Sequence, residues 1–167
     1  MLEEEAESFL NIEDLLTKKD KKLFSAYIGP NYERITDDRF NYAAFLFGGS
    51  YFIYRKVYVI GIALQCLALG ACVFLPLASV KPYIIILFEL ILSICSGLFA
   101  NQIILNDVAS KIIKLKISNV PNIKEELKRI GGVNVIAFVI SFIVLVYIYE
   151  STYYGLFIEL LKLIGLI

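Results

Sequence analysis

Glu89 is the residue whose chemistry stands out. It is a carboxylate inside a long apolar run, and Ser93, Ser96, Gly97 and Ala100 follow it at helical spacing on one face. A carboxylate held in hydrocarbon costs several kcal/mol, so such groups are rare and concentrate at proton and ion pathways. Held protonated, the same group serves as a hydrogen-bonding link between helices. Counting along the helix places Glu89 about 9 Å below the outer boundary of its span. Gln65 lies about 10 Å from the inner boundary, too far away in depth to bond it directly. Cys72 and Tyr147 lie at Glu89's own depth, and the Tyr147 hydroxyl is the expected partner. The candidate intramembrane polar site is therefore Glu89, Ser93 and Tyr147.

Other chemistry is hard to find. The chain has no histidine, which removes the commonest general base and metal ligand. Cys66, Cys72 and Cys95 sit in apolar runs without a CxxC and read as small apolar filler. Gly48-Gly49-Ser50 lacks the spacing of a phosphate-binding loop. No serine is placed with a base, and no ligands cluster at metal spacing. The expectation is no enzyme, no cofactor and no metal. What remains is basic: Arg55 and Lys56, then Lys111, Lys114, Lys116, Lys124, Lys128 and Arg129. These set topology, and near a surface each could contact an anionic headgroup for about 1 kcal/mol.

The elements that position these residues are membrane elements. The apolar share is 59% and the mean hydropathy +0.73, against ~45–50% apolar for a soluble domain. At 167 residues there is room for one domain and a few spans. Formal net charge is zero, so no bulk attraction to nucleic acid is expected. The charge is segregated, with ten acids and six bases in residues 1–39, a net of −4. An acidic, polar start does not suit a cleavable signal peptide.

In chain order, Leu2 to Leu16 reads as a helix with an acidic outer face, and Lys18 to Tyr27 as a second that stops at Gly29-Pro30. Asn31 to Arg39 reads as a polar connection. Phe40 to Tyr54 is apolar but roughly 22 Å long as a helix, short of the ~30 Å hydrocarbon layer. It reads as an interfacial or shallow re-entrant helix, with Tyr42, Tyr51 and Tyr54 at headgroup level. Spans follow at about 57–75, 83–105 and 133–149. The basic loop 106–132, against one base (Lys81) in the outer turn, belongs on the cytoplasmic side together with the N-terminus. Within that loop Asn122 and Glu125 read as a capping box. Tyr153 to Ile167 reads as a C-terminal amphipathic helix with a Gly155, Glu159, Lys162 stripe.

The expected organisation is therefore an all-α integral membrane protein. It has an acidic cytoplasmic segment, 1–39, an interfacial or re-entrant aromatic helix, 40–56, and a membrane domain, 57–167. Its location is the cell (cytoplasmic) membrane, multi-pass.

Three motifs carry a resemblance. Tyr27 to Asn31 (YIGPN), Phe40 to Gly49 (FNYAAFLFGG) and Tyr54 to Tyr58 (YRKVY) resemble the bacterial domain-of-unknown-function 2628 family of small integral membrane proteins. A weaker match is Ala100-Asn101 with the basic tail after it, so that the resemblance covers about residues 24–116. Tyr42 and Tyr51 stand where the family has tryptophan, Val57 where it has methionine, and Ile104 and Asp107 where it has tyrosine and histidine. The resemblance implies a location and no activity.

Two functions fit. One is a non-enzymatic membrane module that binds a membrane or cytoplasmic protein partner, or anionic lipid, through residues 1–39 and 106–132. The alternative is a small transporter or channel, a homo-oligomer, working through Glu89. Deleting residues 1–17 is expected to leave membrane insertion intact, and alkaline extraction of membranes carrying the truncated chain checks this. Release of the chain into the soluble fraction would make the segment part of the fold.

Overall fold

The computed structural model describes the backbone of residues 18–37, 40–77 and 80–163 and most side chains from residue 21 to residue 147. The expected helix Leu2–Leu16 and the side chains of the Gly155, Glu159, Lys162 stripe lie outside the described residues. Among the described residues every regular element is helical.

The elements are α1 (Lys18–Ile28), a 3-10 turn (Gly29–Asn31) and α2 (Tyr32–Thr36). Then come α3 (Tyr42–Phe47), α4 (Gly49–Tyr54), α5 (Tyr58–Leu77) and α6 (Pro82–Ile117). The last two are α7 (Ile123–Ile130) and α8 (Val135–Leu163). They form two compact units. One takes the described residues up to 37 with Asn101–Gly132; the other takes Phe40–Ala100 with the described residues from Val133 on.

The first unit is built like a small water-soluble bundle. Phe24, Tyr27 and Ile28 on α1, Ile35 on α2, Ile104, Val108 and Ile112 on α6, and Leu127 on α7 are all buried. Their spacings of three and four put each set on one helix face. The Tyr27 carbonyl accepts from the Gly132 N–H at 2.8 Å and ties the end of α7 to α1. Its hydroxyl accepts from Lys111 Nζ at 2.6 Å, and Lys111 also pairs with Asp107.

The second unit has the opposite polarity. Val59 is 81% exposed and Ile136 75%, while Ser50 is 0% and Arg55 5% exposed. Large apolar residues on the outside and polar ones inside suit an apolar surrounding. Phe47 and Tyr54 pack on Phe138 at centroid distances of 5.4 and 5.7 Å and fasten α3 and α4 to α8.

Five sequence expectations are corrected here. Residues 40–54 form two helices, because Gly48 turns at φ 48°, a conformation costly for residues with a Cβ. Residues 49–53 are all buried, and Tyr51 is an interior residue at 7% exposure. The stretch 106–117 continues α6 without a break, giving a helix of 36 residues, roughly 54 Å. Likewise α8 runs through Glu150 as one helix of 29 residues. Asn31–Arg39 is not all connection, because α2 forms within it around buried Ile35.

Capping also differs from expectation. Asn122 occupies the N-cap position of α7 but its side chain makes no cap bond, and Glu126 pairs with Arg129. The asparagines that do cap are Asn41, whose Oδ1 accepts from Ala44 N at 3.0 Å, and Asn134, whose Oδ1 accepts from Ala137 N at 3.0 Å.

α4 and α5 cross at two glycines. A Cβ on Gly49 would sit 2.5 Å from the Gly61 carbonyl oxygen, and one on Gly61 would sit 2.8 Å from the Gly49 oxygen. Small residues are what let helices approach this closely. Gly61→Ala is expected to destabilise by ~1–3 kcal/mol, because the contact is with backbone that cannot rotate away. Gly70→Ala, whose Cβ meets nothing nearer than 3.9 Å, is expected to be neutral or mildly stabilising. Unfolding in detergent micelles followed by circular dichroism compares the two, and equal stabilities would contradict the crossing.

Candidate functional site

The polar residues of the second unit converge on the Gly48 break. Ser50 on α4, Gln65 on α5 and Ser141 on α8 form a three-helix knot. Gln65 Nε2 donates to Ser50 Oγ at 2.9 Å and to Ser141 Oγ at 2.5 Å, and the Ser141 hydroxyl donates to Ser50 Oγ at 2.8 Å. Interhelical hydrogen bonds of this kind contribute about 0.6 kcal/mol each on average, up to about 1.7. The crossing at Gly49 and Gly61 brings Ser50 within reach of α5.

Beside the knot lies a cavity of about 150 Å³. Its polar lining is Gln65, Glu89, Ser93, Ser96 and the Gly48–Gly49 segment. Leucines, Ala68, Phe47 and Phe142 complete the wall. Gln65 and Glu89 thus line one space, although depth counting separates them. That counting assumes straight antiparallel spans and leaves out α3 and α4, whose Gly48–Gly49 break lines the same space.

Glu89 Oε1 accepts from Cys72 Sγ at 3.8 Å. Tyr147, the partner expected from depth, is 73% exposed. It shares a helix with Ser141, but its ring faces outward. Ser93 lines the cavity with Glu89, so the structure brings two of the three expected site residues together and leaves the third outside. The missed members are Ser50, Ser141 and Gln65. Ser141 stands on the small-polar stripe that begins at Asn134, a pattern visible in the sequence. Ser50 gives no such signal, because beside two glycines it reads as part of a turn.

A second network explains the aromatic motif. Asn41 caps α3, its backbone N–H donates to the Gly97 carbonyl at 2.9 Å, and its Nδ2 donates to the Tyr51 hydroxyl at 3.0 Å. Arg55 Nε approaches the same hydroxyl at 3.5 Å. Arg55 is buried, so the expectation that it contacts headgroups is corrected, whereas Lys56 is partly exposed. Among the other basic candidates, Lys111 is engaged with Asp107 and Tyr27. Lys114, Lys116, Lys124, Lys128 and Arg129 are exposed. Among the described residues no group of three or more His, Cys, Asp or Glu gathers at metal-binding distance.

Asn41→Ala removes a cap and a buried donor together and is expected to cost ~1–2 kcal/mol. Asn41→Asp keeps the cap but loses the donor to Tyr51, so it is expected to recover only part of that loss. Thermal unfolding of both variants in micelles tests this, and a wild-type midpoint for Asn41→Ala would show the network to be incidental.

No similar curated protein and no similar solved structure is found. The described geometry of Tyr27, Asn41, Tyr51 and Arg55 belongs to the stretch that carries the resemblance, and a family match covers residues 21–109, more than half of the chain. By that match the chain belongs to the family described as "Protein of unknown function (DUF2628)".

Proposed function

We propose that the chain is a multi-pass membrane protein without enzymatic activity, a module that holds a protein partner or anionic lipid on the cytoplasmic side. The observation that supports it best is the segregation of exposed side chains. Two helical stretches, Tyr83–Ile117 and Ile123–Tyr147, are long and apolar enough to cross a membrane, and Tyr58–Phe74 is a shorter apolar helix. Residues 57–80 and 130–149 carry no charge, and 82–106 carry Glu89 alone.

On this reading α5, the apolar first part of α6 and the first part of α8 cross, and α3 with α4 forms a re-entrant hairpin. A helix of 20 residues such as α5 spans roughly 30 Å, the thickness of the hydrocarbon layer. The break at Gly48 fits a re-entrant segment because irregular backbone at membrane depth is tolerated where protein surrounds it. The exposed bases Lys114, Lys116, Lys124 and Lys128 would then face anionic headgroups, and the positive-inside rule puts them in the cytoplasm.

A second reading, a small oligomeric transporter or channel using Glu89, takes its support from the polar cavity beside Gly48.

Native mass spectrometry of the protein purified with its own lipids tests the first reading. Retention of anionic lipid, or a stoichiometric partner, is the expected result. Changing Lys114, Lys116, Lys124 and Lys128 together to Gln should weaken lipid retention by roughly tenfold or more, at about 1 kcal/mol per base. A bare chain, or retention of lipid unchanged in the variant, would remove the reading.

A further inference from the structure

The first unit turns its large apolar residues inward, with two exceptions. Among its described residues the exposed ones are Ile113, at 42%, and Ile117, at 74%. They stand four apart near the end of α6 and so share one face. Lys114 and Lys116 flank that face and are exposed as well. Two bonds close the helix just beyond them. The Asn119 N–H donates to the Lys116 carbonyl at 3.2 Å, and the Val120 N–H to the Leu115 carbonyl at 3.4 Å. A short turn leads from there into α7, where Lys124 and Lys128 are exposed. Residues 113–130 hold five bases and two acids. The surface is thus an apolar pair in a basic field.

The bilayer does not suit the apolar pair. Where the apolar part of α6 crosses, Ile117 stands roughly 18 Å along the axis beyond Leu105. The headgroup layer is only about 5–8 Å deep on each side. A lysine acts on a charged surface across a Debye length of ~8 Å, but an isoleucine leaves water only by contact. A second copy of the same face would set lysine against lysine.

One segment of the chain matches both properties of the surface. Residues 1–17 lie outside the described residues. They hold six acids, Glu3, Glu4, Glu5, Glu7, Glu13 and Asp14, and no Lys or Arg. At helical spacing Leu2, Ala6, Phe9 and Leu16 make an apolar face. As a helix, Leu2 to Leu16 measures roughly 22 Å, against roughly 6 Å between Ile113 and Ile117 along α6. The segment leads directly into α1, which packs on α7 in the same unit. Such a tether gives it a local concentration in the millimolar range, so that weak contacts suffice.

We propose that residues 2–16 cover this surface, with the Phe9 face over Ile113 and Ile117 and the acids toward Lys114, Lys124 and Lys128. The contact itself does not rest on the lipid reading above. Its consequence does: where those lysines also meet anionic headgroups, segment and membrane compete for them.

The test places the photocrosslinker p-benzoylphenylalanine at position 117 of the full chain in detergent micelles, without added lipid, and maps the product by mass spectrometry. The expected product joins position 117 to residues 2–16 within one chain. Changing Glu3, Glu4, Glu5 and Glu7 together to Gln should lower its yield roughly threefold or more. Phe9→Ser should lower it as well, and circular dichroism checks that both variants keep their helix content. Absence of a product with residues 2–16, a product that joins two chains, or an unchanged yield in both variants overturns the cover. Because no lipid is added, the crosslink is read separately from lipid retention. Failure of retention with the crosslink present removes the lipid reading and supports the contact.

Discussion

The second unit depends on the close approach of α4 and α5 at Gly49 and Gly61. Backbone contact at that point shortens the distance between the helices enough for Ser50 to reach Gln65, and Gln65 in turn reaches Ser141 on α8. The same approach keeps Gly49–Ile53 buried although α4 has only six residues. So short a helix has little stability of its own. It persists because a cap at Asn41, the Tyr51 hydroxyl and the rings of Phe47, Tyr54 and Phe138 hold the pair α3–α4 from several sides. Polar bonds fix the geometry and aromatic contacts supply the burial.

The two units solve the burial problem in opposite ways. In the first, apolar faces turn inward and bases turn out, as water requires. In the second, serines, an asparagine and an arginine are enclosed while valines and isoleucines face out. Every buried side-chain nitrogen and oxygen among the described residues has a partner. An interior of this kind is stable only if its polar groups are fully satisfied. The site and the fold are therefore the same set of bonds seen from two sides.

Much of the architecture was legible in the sequence. Gly29-Pro30 and Pro82 mark helix limits, because these residues interrupt helical backbone, whereas the break at Gly48 within 40–54 was not read as one. Two misreadings share one cause: a change in polarity was taken for a change in backbone. Asn106 to Ile117 turns basic, but it contains no proline or glycine, and α6 continues until Asn119 adopts φ 50°. Glu150, Ser151 and Thr152 are polar, yet α8 passes through them. Asparagine capping was expected at Asn122 and occurs at Asn41 and Asn134, because what a cap needs is a partner in reach and not only the residue type. The inward face of Glu89, Ser93 and Ser96 was legible from helical spacing. Its joining to Gln65 was not, since that depends on an inserted pair of short helices which no periodicity announces.

The start of α8 is closed from far away. The Asn134 N–H donates to the Tyr54 carbonyl at 2.8 Å, and its Nδ2 donates to the Tyr58 hydroxyl across 76 residues of chain. During synthesis at the ribosome, Tyr54 and Tyr58 are made long before Asn134 emerges. The corner between α4 and α5 thus serves as a waiting receptor for a segment not yet made. Assembly of this unit has a direction in time, in which the earliest hairpin sets the entry point of the last helix.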